Sequence, residues 1–450
     1  MNLADENARL RAENATLQAA LLTLQQRVAD LEAALAAARS PIALPPRPAA
    51  PATLPKLPRK KRAAAANHGR KRATPTEVRT HAYDHCPTCA YRLGGHSIAR
   101  RREVLDLPPP SPVTVIEFQL IKRYCPHCEL WYEPPLDLTG LVRGQHRVSI
   151  RLMALIAWMR TTLRLPVRAI RAYLRCLHQL DLSVGEIVAL LHSVAEAGQP
   201  AAEAIKSELR ASAVLYMDET YWEENGRVGY SWVMTNSAGV SYFHYDHSRA
   251  GAVARSLSGA HYPGTLITDF YAAYNEHTGR HQRCWAHLLR DLAALEEQPE
   301  VASEVREWVE EVRELYRVGR AVNERAPPAH AAERQRAANQ LRERVHELGL
   351  RWAQTKEHPA QVLSKRLLRH EGELFEFVRQ AGVEATNNRA ERAIRPLAVA
   401  RKISGGTRSA AGSHTRMRLQ TLFTSWAAKG LEPLAACVAM LAGQTLLPAS

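Results

Sequence analysis

The stretch Ala213-Val-Leu-Tyr-Met-Asp-Glu-Thr220 is an apolar run that breaks at a carboxylate. Its β-branched and aromatic residues predict a strand over 213–218, with Asp218 at its end, where catalytic groups collect. A second run, Gly264-Thr-Leu-Ile-Thr-Asp269, has the same form. A third acid, Glu391, lies in Thr386-Asn-Asn-Arg-Ala-Glu-Arg-Ala-Ile-Arg-Pro396, a helix-start pattern. Three carboxylates that converge can hold two magnesium ions about 3.5–4 Å apart for in-line phosphoryl transfer. If these three converge, the chain carries a site that cuts or joins nucleic acid.

The segments between the acids set the fold. Val228–Thr235 and Val240–Tyr245 read as strands around the hairpin signal Asn236-Ser-Ala-Gly239, Arg249–Leu257 as a short helix, and Thr265–Thr268 as a strand. Strand, strand, strand, helix, strand is the order of a ribonuclease-H-like core. Such a core has one acid on its first strand and another at the end of its fourth, and these strands are neighbours. Asp218 and Asp269 fall at those places. Glu391 follows 122 residues after Asp269 (391 − 269), and the charged, helical stretches Glu300–Arg325 and Ala331–Leu348 predict a helical insertion between them.

Bulk properties point the same way. A chain of 450 residues accommodates two or three domains. A formal charge of +15 favours a polyanionic partner, with nucleic acid first and a membrane surface as the rival. No apolar run of about 18 residues and no signal pattern is found, so the expectation is a cytoplasmic, nucleoid-associated protein with no membrane partner. Four of the 7 cysteines form two Cys-x-x-Cys pairs, which in a reducing compartment suggests metal.

The amino terminus reads as a zipper over 1–39. Leu3, Leu10, Leu17, Leu24 and Leu31 recur at d, and Asn7, Asn14, Leu21, Val28 and Leu35 at a. Asparagine at a fixes register and favours two strands. Glu6 can pair with Arg11 of a partner copy, and Arg27 with Glu32. The alternative is one amphipathic helix packed on its own domain. Residues 40–78 form a Pro-rich basic linker containing Arg59, Lys60, Lys61, Arg62, Arg70, Lys71 and Arg72. It is either a solvated run or a set of phosphate contacts. In 79–140, Cys86-Pro-Thr-Cys89 and Cys125-Pro-His-Cys128 have the spacing of a four-cysteine structural zinc site, with Val113–Tyr124 alternating like a ribbon strand. A redox pair is the alternative, and His85 and His127 read as bystanders. Residues 141–210 read as helices over Ile150–Leu163, Pro166–Leu177 and Val184–Ala197, a helix-turn-helix or a plain bundle. Arg164, Arg168, Arg171 and Arg175 give it a basic face, and Cys176 reads as a core thiol.

Taken together, Asp218-Glu219-Thr220, Asp269 with Tyr271 and Tyr274, Cys284-Trp-Ala-His287, Asn387-Asn388 with Glu391-Arg392, and Arg395-Pro396 leading to Arg401-Lys402 resemble the insertion sequence 66 family of bacterial transposases. The helical close, Arg416–Leu441, is also similar. The resemblance implies an Asp-Asp-Glu enzyme in which Asp218, Asp269 and Glu391 bind two Mg2+ (or Mn2+) ions. One ion would activate water or a 3′-hydroxyl, and the other would stabilise the leaving oxygen. It also implies a homodimer or higher oligomer acting on transposon ends and target DNA, often with companion proteins. A DNA-binding regulator without catalysis is the alternative. Thr386 departs from the family pattern, which has Asp before the paired asparagines.

The full expectation is a multidomain α+β chain: coiled coil, linker, zinc ribbon, helical region, a ribonuclease-H-like α/β core over 211–292, a helical insertion over 293–380, and core helices with the third acid over 381–450. The neighbouring residues have plainer readings. Glu219 is a bystander or a support to the metal ligands. Asn387 and Asn388 cap the Glu391 helix, and Trp285 is core. Cys284 and His287 are a zinc half-site short of ligands, or a packed thiol and a histidine hydrogen-bonded near Asp269. Arg392 and Arg395 face phosphate, or Arg395 pairs with Glu391. Arg401, Lys402, Arg408, Arg416 and Arg418 form a DNA-facing basic tail.

Overall fold

The structure is a computed structural model that describes residues 3–39, 74–95, 97–98, 100–325 and 330–444. The arginines and lysines of the 40–73 segment lie outside the described residues, so the linker reading has no structural counterpart. The chain divides into two compact units, Met1–Leu107 and Pro108–Ser450.

In the first unit, α1 (Leu3–Arg39) is one continuous helix. Over 8–32 its side chains are all exposed, including the heptad leucines Leu10, Leu17, Leu24 and Leu31. Within the first unit, the described residues therefore leave the zipper seam uncovered over 8–32. Farther on, Cys86 opens a tight knuckle. Its N–H donates to Tyr91 O at 2.8 Å, Ala90 N–H returns to Cys86 O at 2.8 Å, and Ala90 takes a left-handed φ of 58°.

The second unit begins with a two-stranded hairpin, β1 (Arg123–Cys125) and β2 (Leu130–Tyr132). Here Glu129, directly after Cys128, takes φ 53°, the turn seen after Cys89. The longer strand expected over Val113–Tyr124 is not formed. Only its last residues pair, because most of 108–122 is exposed and has no apolar layer to lie on.

Four helices follow: α2 (Ile150–Thr161), α3 (Val167–His178), α4 (Val184–Ala197) and α5 (Gln199–Arg210). Ser149 and Ser183 cap α2 and α4 through their hydroxyls. Gln179 closes α3 in the left-handed region. Ile187, Leu190, Leu191, Val194 and Ala195 of α4 lie in the same buried cluster as α2. α4 therefore packs into the bundle through this face, as both the helix-turn-helix and the plain-bundle readings require. The exposed arginines sit on α3, where Arg171 is held by Asp181 at 2.9 Å. Cys176 is exposed, not a core thiol, because it lies on the face of α3 away from the buried Ile170 and Leu174.

The sheet comprises β3 (Val214–Glu224), β4 (Arg227–Asn236), β5 (Ser241–Asp246), β6 (Thr265–Thr268) and β7 (Arg280–Arg283), with α6 (Gly251–Ser258) between β5 and β6. Its spatial order is β5-β4-β3-β6-β7. The first three strands are antiparallel, while β6 runs parallel to both β3 and β7. Alternation sends Leu215 and Met217 to one face and Val214 and Tyr216 to the other. The first face packs with the helices of 150–210, α6, α13 (Ala410–Ala428) and α14 (Pro433–Leu441). The second packs with α7 (Trp285–Glu296), α8 (Ser303–Arg325), α9 (Ala331–Ala353), α10 (Gln361–His370), α11 (Glu376–Arg379) and α12 (Asn388–Ser404). Thr421 and Ser425 of α13 accept hydrogen bonds from Phe243 N (2.9 Å) and Ser241 N (3.0 Å). That covers the sheet edge at β5, which would otherwise offer unpaired backbone groups.

Candidate active site

Asp218 is not at a strand end. β3 continues six residues past it, to Glu224, paired with β4 throughout. What ends near Asp218 is the pairing with β6: Tyr216 sits opposite Ile267, and β6 stops at Thr268. The register extended by two residues brings Asp218 level with Asp269 across adjacent parallel strands. Both acids follow, at i+2, residues that face the second core cluster, Tyr216 and Ile267. α12 covers that face through Ala390, Ile394 and Leu397.

Asn387 joins the third acid to this level. It occupies the N-cap position of α12, yet its side chain makes no capping bond. Instead its Nδ2 donates to Met217 O at 2.7 Å, and its backbone N–H donates to Cys284 Sγ at 3.1 Å. The expected cap is thus replaced by a tie from the first turn of α12 to the residue before Asp218. The tie carries Glu391, one turn into α12, to the same end of the sheet.

The electrostatics of Asp218 follow from this proximity. Burial, and then the carboxylates of Glu219, Asp269 and Glu391, push the Asp218 carboxyl well above the usual carboxylate range. Like charges at close quarters resist joint ionisation, and a cation relieves them. The three sequence-predicted acids do not all crowd into one cluster with ligand atoms within 4.8 Å of one another. A two-ion site does not require that, because each ion needs only some of the carboxylates. Glu391 Oε1 is buried and has no hydrogen-bond partner, as a ligand atom would be. The donor set fits a hard divalent cation.

Glu219 points to the opposite face from Asp218. Its side chain is 1% exposed; Arg249 Nη2 donates to it at 2.7 Å, and the Tyr274 hydroxyl also donates to it. Burial raises its carboxyl, while Tyr274 and Arg249 oppose that rise. Arg249 in turn stacks on Tyr271 at 3.8 Å from the ring centroid. Asp269 is braced as well: its Oδ1 accepts from Tyr271 N at 2.9 Å, and its carbonyl accepts from Arg283 Nη1 at 2.8 Å. The sequence reading missed Arg283. It lies in the polar run Arg280-His-Gln-Arg283, which gives no apolar signal for a strand, and it is fully buried.

The remaining predicted residues have mixed outcomes. His287 Nδ1 lies 3.7 Å from Glu391 Oε1, and no hydrogen bond ties it to Asp269 among the described residues. Trp285 is fully buried, as expected. Arg392, Arg395, Lys402 and Arg408 are exposed, and Arg395 makes no ion pair with Glu391 among the described residues. Arg401 donates to Tyr221 O and lies over the Tyr221 ring at 5.0 Å, so part of it is structural. Arg416 is 3% exposed, which removes it from any DNA-facing tail. Burial, with Arg160 and Arg164 nearby, pushes its guanidinium down to about 9. Arg418 Nη1 donates to Ala195 O at 3.3 Å. Of the cysteine pairs, Cys86 is held below the usual thiol range first by Thr88 N–H and then by Cys89 N–H. Cys125 is held below it first by Cys128 N–H and then by His127 N–H.

The chain is similar to an uncharacterized protein, y4qI, of Sinorhizobium fredii (strain NBRC 101917 / NGR234), with 29% identity over 209 residues. That match covers 43% of this chain and 38% of the relative, so the chain spans well under half the relative's length. The profile of the transposase IS66 family matches residues 145–415, a region running from just before α2 into α13. It includes the whole sheet, Asp218, Asp269, the helical insertion and Glu391. With more than half its length matched, this chain belongs to the IS66 family of transposases.

Proposed function

We propose that the protein is an active DNA transposase that binds the terminal inverted repeats of an insertion sequence and catalyses metal-dependent strand cleavage and strand transfer. The observation that carries this reading is Asp218 and Asp269 level on adjacent parallel strands, with the Glu391 helix tied to the same strand through Asn387 and Met217. The strand order β5-β4-β3-β6-β7 supports a ribonuclease-H-like core.

In this reading Asp218, Asp269 and Glu391 would hold Mg2+ or Mn2+, which supplies Lewis-acid activation of an attacking hydroxyl and neutralises the leaving oxygen. Asn387 and Arg283 hold the acids in place from behind. Exposed Arg392, Arg395 and Lys402 on the Glu391 helix are suited to backbone phosphates. The matching knuckles at Cys86–Cys89 and Cys125–Cys128 support structural zinc-binding elements, and the uncovered seam of α1 supports pairing with a second copy. Duplex DNA as substrate fits the +15 charge. Among the described residues no helix is long and apolar enough to cross a membrane.

The test is strand transfer with a labelled duplex carrying the element's end, a target plasmid and Mg2+ or Mn2+. Wild type is expected to yield joined product. Asp218→Ala and Glu391→Gln are expected to lose at least 100-fold in rate while still binding the end, a loss of the order seen when an electrostatic stabiliser is removed. End binding without cleavage by the wild type under both metals, in the presence of any companion proteins, would instead support the silent regulator.

A further inference from the structure

We infer that Cys284, His287 and Glu391 form a mononuclear site for a thiolate-binding divalent cation of the zinc class. Among the described residues this is the group of three His, Cys, Asp or Glu side chains whose ligand atoms all lie within 4.8 Å of one another. The sequence offers only half of it. Cys284-Trp-Ala-His287 supplies a thiol and an imidazole three residues apart, and the fold adds a carboxylate from 104 residues farther on (391 − 287).

The local geometry explains why these groups meet. Cys284 stands at the N-cap of α7 and His287 lies in that helix's first turn, so both side chains are presented at the same end. Glu391 comes from the first turn of α12. Asn387 N–H joins the two helix starts by donating to Cys284 Sγ at 3.1 Å, and Trp285 N–H does so by donating to Ala385 O at 2.9 Å. A backbone donor on a cysteine sulfur is the outer support that metal-bound thiolates use.

Two polar atoms in the cluster lack partners, one of them the Glu391 oxygen already described as suited to a cation. His287 Nδ1 and Glu391 Oε1 are both buried, and neither has a hydrogen-bond partner. They face each other at 3.7 Å, too far for a hydrogen bond. Two such ligands on a tetrahedral zinc, each at about 2.0–2.1 Å, stand roughly 3.3 Å apart. A contraction of about 0.4 Å, within the reach of a side-chain torsion, therefore seats both on one ion. A thiolate and a carboxylate together balance a divalent charge. His287 and Glu391 keep 29% and 34% side-chain exposure, which leaves a water-accessible fourth position. The sulfur selects zinc over magnesium, which prefers all-oxygen shells.

The site rests on this geometry and not on the transposase reading, although it shares Glu391 with it. The test loads chelator-treated full-length protein with zinc and measures bound zinc per chain for wild type, Cys284→Ser and His287→Ala. Each variant is expected to hold one equivalent less than wild type. Cobalt-loaded wild type is expected to lose part of its thiolate-to-metal absorption in Cys284→Ser. Equal zinc in all three proteins overturns the site. Cys284 is fully buried and its replacement can disturb packing, so half-exposed His287→Ala, checked by its melting curve in chelator, decides the matter. Failure of strand transfer with zinc stoichiometry intact would count against the catalytic proposal and leave this site standing.

Discussion

At the scale of single residues, the three acids are legible in the sequence because each ends or follows a pattern that folding must respect. Their supports are not. Asn387 reads as a helix cap, since asparagine before a helix usually bonds to its own first turn. Here the side chain reaches Met217 O instead, a choice set by a strand 170 residues away (387 − 217). Arg416 reads as surface charge, yet it is buried with its Nε and Nη2 unpartnered. No local pattern distinguishes an arginine that the fold will enclose. The Asn387 tie has a measurable consequence. Asn387→Ala removes one fully buried hydrogen bond, which costs about 1–3 kcal/mol. Because the bond positions the Glu391 helix against the Asp218 strand, the proposed cleavage activity should fall by more than the lost folded fraction explains. Urea unfolding and single-turnover cleavage on the same preparation separate the two effects. A rate that simply tracks the folded fraction would make Asn387 structural alone.

At the scale of elements, β4, β5, β6 and the long charged helices are readable because their periodicity is strong. β3 and β7 show where periodicity misleads. The apolar run ends at Met217, so the strand reads as ending at Asp218. It continues because Trp222 and Glu224 are buried in alternation beyond the acid. β7 is Arg-His-Gln-Arg and has no apolar residue, although three of its four side chains are buried. Its stability comes from a polar network. Arg283 Nε donates to Glu373 Oε2 at 2.5 Å, while His281 and His370 stand 3.6 and 3.1 Å from the same oxygen. Burial works against the Glu373 charge, but His370, His281 and Arg283 together hold its carboxyl at about 2. A folded pKa below the unfolded one, about 4.3, adds stability that is full above that value. The contribution is lost as pH falls through about 2. Glu373→Gln should therefore cost about 1–3 kcal/mol at neutral pH, discounted for partial exposure. The gap between wild type and variant should shrink between pH 4.5 and 2 in denaturant titrations. A gap independent of pH would place the cost in shape and not in charge. Since Arg283 also holds the Asp269 carbonyl, this network couples the helical insertion to the acid level of the sheet.

At the scale of the whole molecule, the amino-terminal helix is the element least explained by its own chain. Its heptad pattern is legible because a 3.5-residue repeat specifies a partner surface and not a fold. The described part of α1 accordingly leaves that surface open: Leu17 and Leu31 are 70% and 68% exposed. A leucine at d contributes about 1.5–3 kcal/mol when fully buried against a partner. Replacing Leu10, Leu17 and Leu24 together by serine removes three d positions per copy, more than a five-heptad zipper can lose and still associate at micromolar concentration. The variant should sediment as a monomer where wild type sediments as a dimer or larger. Its thermal transition for residues 108–450 should be unchanged, because the seam contributes nothing to either core cluster. On the proposed reading, in which strand transfer joins two ends, paired-end products should disappear while nicking of a single end persists. Unaltered mass in the triple variant would mean that α1 does not assemble the protein. An altered mass with unchanged paired-end joining would mean that the pairing of ends is carried by the second unit, residues 108–450.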